Sequence, residues 1–169
     1  MRIFLSAIGQ DSHRFSLDPE RKLLLGAVEI PDCPVLAGNS DADVILHAIT
    51  NAISGLSGKP VLGKRADLLC KAGETDSRAY LALALKDLAE ADCAWRLHHL
   101  SLTVEAARPK LMPHREAICK SVAGLMGLRD EQVAMTATTG EELTTFGKGE
   151  GIQVFAILSA SRESFPTEE

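Results

Sequence analysis

The chain has 169 residues, of which 46% are hydrophobic and 24% charged, and its formal net charge at pH 7 is −5. This length and composition are typical of one globular domain with its own hydrophobic core. The negative charge argues against a nucleic-acid partner, because a phosphate backbone is bound by a basic surface. Any phosphate that the protein binds is therefore expected to be held by a local cluster of side chains.

The first residues and the cysteines indicate a cytoplasmic protein. The four cysteines, which share no Cys-x-x-Cys spacing and are expected to be reduced thiols, are Cys33, Cys70, Cys93 and Cys119. The apolar start is interrupted at Gly9 to Asp11, which is too early for a signal peptide. Since no stretch approaches the roughly 18 apolar residues of a membrane span, we expect no membrane partner.

The first predicted elements are a long extended segment from Arg2 to Phe15 and a second strand within Arg21 to Ile30. A helix is predicted over Asp41 to Ser54, with Ser40 as its N-cap and apolar residues almost all round. The segment Gly55 to Gly73 mixes glycines, a proline and basic residues. It is therefore predicted to be a loop with little regular structure, of a length that is usually functional or mobile.

The second half continues with a helix that begins near Thr75 as its N-cap, a strand at Leu100 to Val104 and a helix opened by Pro113. Two closing strands are predicted near Gln132 to Thr138 and Gly151 to Ser159. The order β-β-α-α-β-α-β-β predicts an α+β fold, a mixed β-sheet with helices packed on one face. Residues 1–161 are predicted to form this domain and residues 162–169 a polar C-terminal tail.

Three residues form a candidate metal site. Asp11 and His13 share one face of the extended segment, because side chains alternate along a strand, and His47 lies within the first predicted helix. Three such ligands with a fourth open position are typical of catalytic zinc. Asp43 and Asn51, one helical turn on either side of His47, are predicted to hydrogen-bond its non-ligating nitrogen. Taken singly, each residue also fits an exposed turn or an ordinary core histidine.

A second cluster lies where a predicted strand ends at Ala137, Thr138, Thr139 and Glu141. Hydroxyl groups and turn amides bind phosphate, whereas a carboxylate beside phosphate requires a hard cation between them. Glu141 is therefore a candidate magnesium ligand. The alternative is an ordinary threonine-rich strand end with a solvated glutamate.

The segment Pro109 to His114 is a stiff loop with two prolines before a predicted helix. Such a loop can present backbone groups to a flat base while Lys110 neutralises a phosphate. The alternative is a simple helix start, with Pro113 in the first turn. The glycine-rich bend at Phe146 to Gly151 indicates a tight turn and nothing more by itself.

Taken in order, the motifs GQDSHRF, GNSDADVILHAIT, ARPKLMPH, ATTGEEL and FGKGEGI resemble the 2-C-methyl-D-erythritol 2,4-cyclodiphosphate synthase family of the non-mevalonate isoprenoid pathway. The resemblance covers nearly the whole chain. It implies zinc held by Asp11, His13 and His47, and magnesium or manganese held by Glu141 with the substrate phosphates. The implied reaction is a metal-dependent lyase reaction. It cyclises 4-diphosphocytidyl-2-C-methyl-D-erythritol 2-phosphate to 2-C-methyl-D-erythritol 2,4-cyclodiphosphate and releases CMP.

The resemblance also implies a homotrimer, with active sites between neighbouring subunits and with each sheet packed around the three-fold axis. The implied substrate is a cytidine diphosphate compound. The residues implied to contact it, around its cytidine and its phosphates, are Lys110, Leu111, Met112, Ala137, Thr138, Thr139, Asn39 and Ser40. Of these residues, Lys110 and Thr139 are expected to be catalytic, together with Glu141.

Several positions differ from the family pattern. Asn39 and Asn51 stand where the family has histidine and aspartate, and Thr136 and Lys148 stand where it has lysine and arginine. The segment Gly55 to Gly73 lacks the Gly-Asp-Ile-Gly and Phe-Pro-Asp-Thr-Asp-Pro motifs, although its Asp67 could replace one carboxylate. Two alternatives therefore stay open. One is a catalytically altered paralogue, a metal-binding trimer that serves as a metabolite-binding or structural subunit. The other is a metal-dependent enzyme that acts on another nucleotide diphosphate.

Overall fold

The computed structural model describes residues 1–18, 21–91 and 93–163. Within these ranges the strands are β1 (Arg2–Ser16), β2 (Leu23–Leu25), β3 (Val28–Ile30), β4 (Val35–Leu36), β5 (Trp95–Glu105), β6 (Val133–Thr138) and β7 (Gly151–Glu163). The α-helices of the same ranges are α1 (Val44–Ser57), α2 (Lys64–Lys71), α3 (Ser77–Ala89) and α4 (Arg115–Met126). In this part of the chain, no helix combines the length and the apolar composition that crossing a bilayer requires.

Five strands form one mixed sheet in the order β4-β1-β7-β5-β6. Strands β1 and β7 pair antiparallel along nearly their full length, from Arg2 opposite Glu163 to Arg14 opposite Gly151. Strand β5 pairs antiparallel with β7 and parallel with β6, while β2 and β3 form a separate hairpin. The predicted α+β class with a mixed sheet is confirmed.

The two faces of the sheet differ sharply. On one face, Val154, Ala156 and Leu158 of β7 are fully buried beneath α1, which packs on both β1 and β7. On the other face, the exposed apolar side chains of β1 and β7 are Phe4, Ile8, Phe155 and Ile157. Because strand side chains alternate, the same two central strands build the core and display an apolar row on the opposite side.

Helix α1 begins later than predicted, and Asp43 rather than Ser40 is its N-cap. The Asp43 carboxylate accepts hydrogen bonds from the amides of Ile45 and Leu46 in the first turn. It also accepts from the amides of Gly26 and Ala27 in the β2–β3 turn, at 2.9 and 2.6 Å. One buried carboxylate therefore fixes both the start of α1 and the position of the hairpin.

The segment Gly55 to Gly73, predicted to be an irregular loop, contains the end of α1 and the whole of helix α2, so that prediction is wrong over residues 55–57 and 64–71. Ala66 is buried, Leu69 packs against the core, and Arg65 pairs with Asp87 of α3. The flanking glycines and the proline indicate a loop, but these three tertiary contacts stabilise a short helix between them.

Three further boundaries differ from the prediction. The single strand expected within Arg21 to Ile30 is the β2–β3 hairpin, and α3 has Asp76 rather than Thr75 as its N-cap. The tail predicted from residue 162 starts no earlier than residue 164, because β1 extends to Arg2 and pairs with Glu163. The rest of that predicted tail, residues 164–169, lies outside the described residues.

Candidate metal centre

Asp11 and His13 of β1 and His47 of α1 meet at one end of the sheet. The Asp11 Oδ2 atom lies 2.9 Å from His13 Nε2 and 2.9 Å from His47 Nδ1. The two imidazole nitrogens are 3.2 Å apart. The three residues predicted as metal ligands therefore point one atom each at a common point.

The backbone fixes which nitrogen of His13 faces this point. His13 Nδ1 lies 2.6 Å from the carbonyl oxygen of Ala37, so this nitrogen carries the proton and donates it. The Ala37 carbonyl is itself fixed, because the Ala37 amide donates to the carbonyl of Arg14 at 2.8 Å. The remaining nitrogen, Nε2, therefore faces Asp11 and His47 and is the ring atom available to a metal ion.

His47 is held differently from the sequence prediction. Asp43 accepts from four backbone amides, and Asn51 donates from Nδ2 to the carbonyl of Gln10 at 3.0 Å, so neither forms the predicted hydrogen bond to the His47 ring. The non-ligating nitrogen of His47 lies instead 2.8 Å from the hydroxyl oxygen of Ser77. Sequence reasoning missed Ser77 because it lies at the start of a different helix.

The pKa values of Asp11 and His13 are shifted by their surroundings. Burial acts to raise the pKa of Asp11, but the hydrogen bonds and positive charge of His13 and His47 lower it far below its usual value. Burial acts to lower the pKa of His13, but its hydrogen bond to Asp11 and the carboxylate charge raise it. In the metal-free protein, protons between the Asp11 carboxylate and the imidazole nitrogens that face it stabilise their close approach.

The geometry suits a tetrahedral metal ion. Ligand atoms at about 2.0–2.1 Å from zinc in a tetrahedron are separated by roughly 3.3–3.4 Å. The observed separations of 2.9 to 3.2 Å require only small outward shifts. A carboxylate with two imidazoles is also a donor set that zinc binds when one position stays open for water or substrate.

A cavity of about 210 Å³ adjoins the three ligands. Its other lining residues are Asn39, Ser40, Leu62, Gly63, Ala66, Asp67, Cys70 and Tyr80. Helix α2 and the turn before it therefore form the wall opposite the ligands. The predicted residues Asn39 and Ser40 do lie beside the metal centre, and the Ser40 hydroxyl is 3.4 Å from His47 Nε2.

A second cavity, of about 140 Å³, brings the two other predicted motifs together. It is lined by Ala106, Ala107, Pro109, Lys110, Leu111, Met112, Ala137, Thr138 and Thr139. The Ala106 amide donates to the Thr138 carbonyl at 3.0 Å, which ties the proline-rich segment to the end of β6. Leu111 is buried in this loop, whereas Met112 is exposed.

The two cavities lie at the same end of the sheet but apart. Ser12, between two of the ligands, is paired with Gln153, which is paired with Glu105, which is paired with Thr138. Three strand spacings of about 4.8 Å place Thr138 roughly 14 Å from Ser12. Glu141 lies beyond β6 as an exposed residue with φ 51° and is not one of the three clustered ligands, so its magnesium role stays a prediction.

The fold and this site define a class of protein: a single α+β domain with a group of residues that could hold a metal, placed between a sheet and its covering helix. A sequence model of the YgbB family matches residues 4–161. The chain belongs to the YgbB family. The similar curated proteins are named 2-C-methyl-D-erythritol 2,4-cyclodiphosphate synthase.

One such relative, from Chlamydia trachomatis serovar L2b, is 41% identical over 159 residues, covering 93% of this chain and 88% of the relative. The relative from Chlamydia abortus is also 41% identical over 159 residues, which cover 93% and 89% of the two chains. At this identity and coverage the resemblance inferred from the motifs is confirmed.

Solved structures agree with these relatives. The bifunctional IspDF from Campylobacter jejuni superposes with a TM-score of 0.86 at 28% identity, over 97% of this chain and 44% of that one. This chain therefore spans less than half of the bifunctional protein. A 2C-methyl-D-erythritol-2,4-cyclodiphosphate synthase in a CDP-bound form superposes with a TM-score of 0.75 at 31% identity, over 91% and 98% of the two chains.

Proposed function

We propose that this protein converts 4-diphosphocytidyl-2-C-methyl-D-erythritol 2-phosphate to 2-C-methyl-D-erythritol 2,4-cyclodiphosphate and CMP. The observation that carries the proposal is the convergence of Asp11, His13 and His47 beside a cavity, in a chain 41% identical to enzymes of that name. In the reaction, an oxygen of the 2-phosphate bonds to the β-phosphorus. The bond from that phosphorus to the bridging oxygen breaks, and CMP leaves with that oxygen.

Asp11, His13 and His47 would hold zinc, and Glu141 would hold magnesium or manganese together with the substrate phosphates. Bound there, the cations would neutralise phosphate charge and polarise the reacting diphosphate. The residues of the chain orient the two phosphate groups, so that positioning supplies a large part of the rate. Residues of α2 and of the turn before it line the same cavity and would form part of its surface around the substrate.

The second cavity would hold the cytidine and its phosphates. Its walls offer an apolar surface from Leu111, Met112 and Ala137, with the ammonium of Lys110 and the hydroxyls of Thr138 and Thr139 at the rim. A flat base fits an apolar slot, and hydroxyl and ammonium groups bind phosphate oxygens. Lys110, Thr139 and Glu141 would stabilise the charge that moves to the leaving CMP. Asn39 and Ser40, beside the metal centre, would contact the other end of the substrate.

A homotrimer would complete the active site. Within one chain the two cavities are separated by three strand spacings, so the metal centre of one subunit and the cytidine pocket of the next would form one site. The exposed apolar row on the helix-free face of the sheet supplies a surface that association would bury. The row consists of Phe4, Ile8, Phe155 and Ile157.

Phosphorus NMR tests the reaction directly. Purified protein is incubated with the diphosphocytidyl substrate, zinc and magnesium, and the spectrum is followed for the cyclic diphosphate and CMP. Equal amounts of both products are expected, and none when a chelator removes the metals. A zinc-bound trimer that forms no product would contradict the proposal and favour the catalytically altered paralogue. Faster turnover of a uridine or adenosine analogue than of the cytidine substrate would favour an enzyme that acts on another nucleotide diphosphate.

A further inference from the structure

Ser77 connects the metal centre to a carboxylate that is not a metal ligand. This serine is the first residue of α3 and is fully buried. Its hydroxyl oxygen lies 2.8 Å from His47 Nε2, and the hydroxyl also donates to Asp41 Oδ1. Its amide donates to the other carboxylate oxygen of Asp41, at 3.1 Å. Asp41, Ser77 and His47 thus form a continuous chain of hydrogen bonds, which runs from the residues just before α1 to the metal centre.

The direction of each hydrogen bond follows from the number of protons. A carboxylate can only accept, and a serine hydroxyl has one proton to donate. Since that proton goes to Asp41, the contact between Ser77 and His47 must use a proton on His47 Nε2. When a metal replaces the proton between Asp11 and the ring, the lone pair that would bind it is therefore the one on Nδ1, the atom that faces Asp11 and His13.

The Ser40 hydroxyl also lies near His47 Nε2, but its contact is longer than that of Ser77. Ser40 Oγ is 3.4 Å from His47 Nε2, and it already accepts the amide proton of Ala42 at 3.1 Å. The ring of Tyr80 packs beside His47 with 6.1 Å between the ring centres and offers no hydrogen bond to it. Ser77 is therefore the shorter of the two polar contacts at this nitrogen and the one anchored to a carboxylate.

We infer that Ser77 and Asp41 are positioning residues, which hold the His47 ring in the tautomer and orientation that metal binding requires. The inference rests on the proposed metal centre. A hydrogen-bonded partner on the far nitrogen orients a ligating histidine and raises its basicity, and loss of such a partner typically lowers metal affinity about 10- to 100-fold.

Substitution of Ser77 tests this role through zinc affinity rather than activity. Metal-stripped Ser77→Ala is titrated with zinc against a chelator of known affinity, and a loss of about tenfold or more relative to wild type is expected. Ser77→Thr keeps the hydroxyl and is expected to restore most of the affinity. Asp41→Asn keeps an accepting oxygen but loses the charge, and a smaller, severalfold loss is expected.

Ser121→Ala is the matched control. The Ser121 hydroxyl donates to the carbonyl of Gly26 at 2.7 Å, away from the metal centre. This variant removes one side-chain hydrogen bond without touching the metal centre, so its zinc affinity should stay within twofold of wild type. If the role of Ser77 were purely structural, Ser77→Ala would behave like Ser121→Ala. Both variants would then lower the unfolding free energy of the metal-free protein, and neither would change its zinc affinity.

Zinc affinity in Ser77→Ala within twofold of wild type would overturn the inference. If that variant does not fold, unchanged affinity in Asp41→Asn would overturn it equally. Failure of the proposed function gives a different pattern. Wild-type protein would then bind zinc and form no cyclic diphosphate, while Ser77→Ala would still show weakened zinc binding.

Discussion

Gly9 of β1 lies directly against the backbone of Ala48 in α1. A Cβ atom at Gly9 would be 2.0 Å from the Ala48 carbonyl oxygen and 2.4 Å from the Ala52 amide nitrogen. Both are backbone atoms, so neither can move away by a change of rotamer. The missing side chain therefore lets helix and strand approach closely enough for His47, next to Ala48, to reach Asp11.

Gly9→Ala is expected to push α1 away from β1. Added volume in a packed contact costs about 1–3 kcal/mol of unfolding free energy, and a clash with backbone belongs at the upper end of that range. Zinc affinity should fall with stability, because the shift separates His47 from the two ligands on β1. Urea denaturation and a zinc titration on the same sample measure both effects.

Gly55→Ala is the control for this change. Gly55 lies within α1, where an added Cβ would meet only the Ala7 side chain at an ordinary 3.5 Å. Alanine is favoured over glycine in a helix by about 1 kcal/mol, so this variant should be as stable as wild type or more so. Equal loss of zinc affinity in both variants would show that the Gly9 contact does not position the metal ligands.

The ion pair between Arg65 and Asp87 connects α2 to α3. Helix α2 lines the cavity beside the metal centre. The Arg65 guanidinium donates two hydrogen bonds to the carboxylate, at 2.5 and 3.2 Å. Because the Arg65 side chain is 38% exposed, Arg65→Ala should cost only about 1–2 kcal/mol. Hydrogen exchange of the α2 amides should accelerate roughly tenfold, as expected for about 1.4 kcal/mol.

Lys22→Ala provides the comparison for Arg65→Ala. Lys22 pairs with Glu29 at 2.8 Å, but both side chains are more than half exposed. Exposed pairs contribute about 0–1 kcal/mol, so this variant should leave α2 exchange and stability nearly unchanged. Unchanged α2 exchange in Arg65→Ala would show that other contacts hold the wall in place.

The metal-free protein should have a specific pH dependence. The pKa of His13 is raised, so its interaction with Asp11 stabilises the fold fully below pH 6.5 and is lost as pH rises through the higher folded pKa. The pKa of Asp11 is lowered, so the same interaction is lost only when pH falls well below 3.8. The difference in unfolding free energy between wild type and Asp11→Asn should therefore be largest at pH of about 4 to 6.5 and shrink toward pH 9. A difference constant from pH 5 to 9 would contradict this.

Mixed trimers test whether neighbouring subunits share an active site. Asp11→Ala removes a metal ligand and Lys110→Ala removes the cation of the cytidine pocket, so each variant alone should be nearly inactive. In randomly mixed trimers of both, about one quarter of the sites would combine an intact metal centre with an intact pocket from the neighbour. Mixed trimers, verified by mass spectrometry, that regain no activity would place both halves of the site within one chain.

The sequence predicts strands β1, β5, β6 and β7 and the convergence of Asp11, His13 and His47 for identifiable reasons. The alternation that places Asp11 and His13 on one face is a property of any strand, and the apolar pattern of α1 brings His47 toward the sheet. The extended start of the chain is confirmed as β1, and the helix opened by Pro113 is confirmed as α4, with Gly127 at its C-cap.

The parts that sequence reasoning missed depend on tertiary contacts. Helix α2 is stabilised by the burial of Ala66 and by the Arg65–Asp87 pair, which no local pattern reveals. Ser77 reaches His47 only because α3 packs beside α1. A signal for Ser77 was present in the run Thr75 to Arg78, where several polar residues open a helix, but which of them caps the helix and which points inward is decided by packing.

The most direct test of the metal centre is calorimetric titration of metal-stripped protein with zinc. One zinc ion per chain is expected for wild type, with affinity at least about a hundredfold weaker in Asp11→Ala, since a ligand matters more than its hydrogen-bonded partner. Asp130→Ala, which removes an exposed carboxylate away from the site, should bind zinc like wild type. No stoichiometric zinc binding in wild type, or equal affinity in Asp11→Ala, would contradict a metal centre formed by Asp11, His13 and His47.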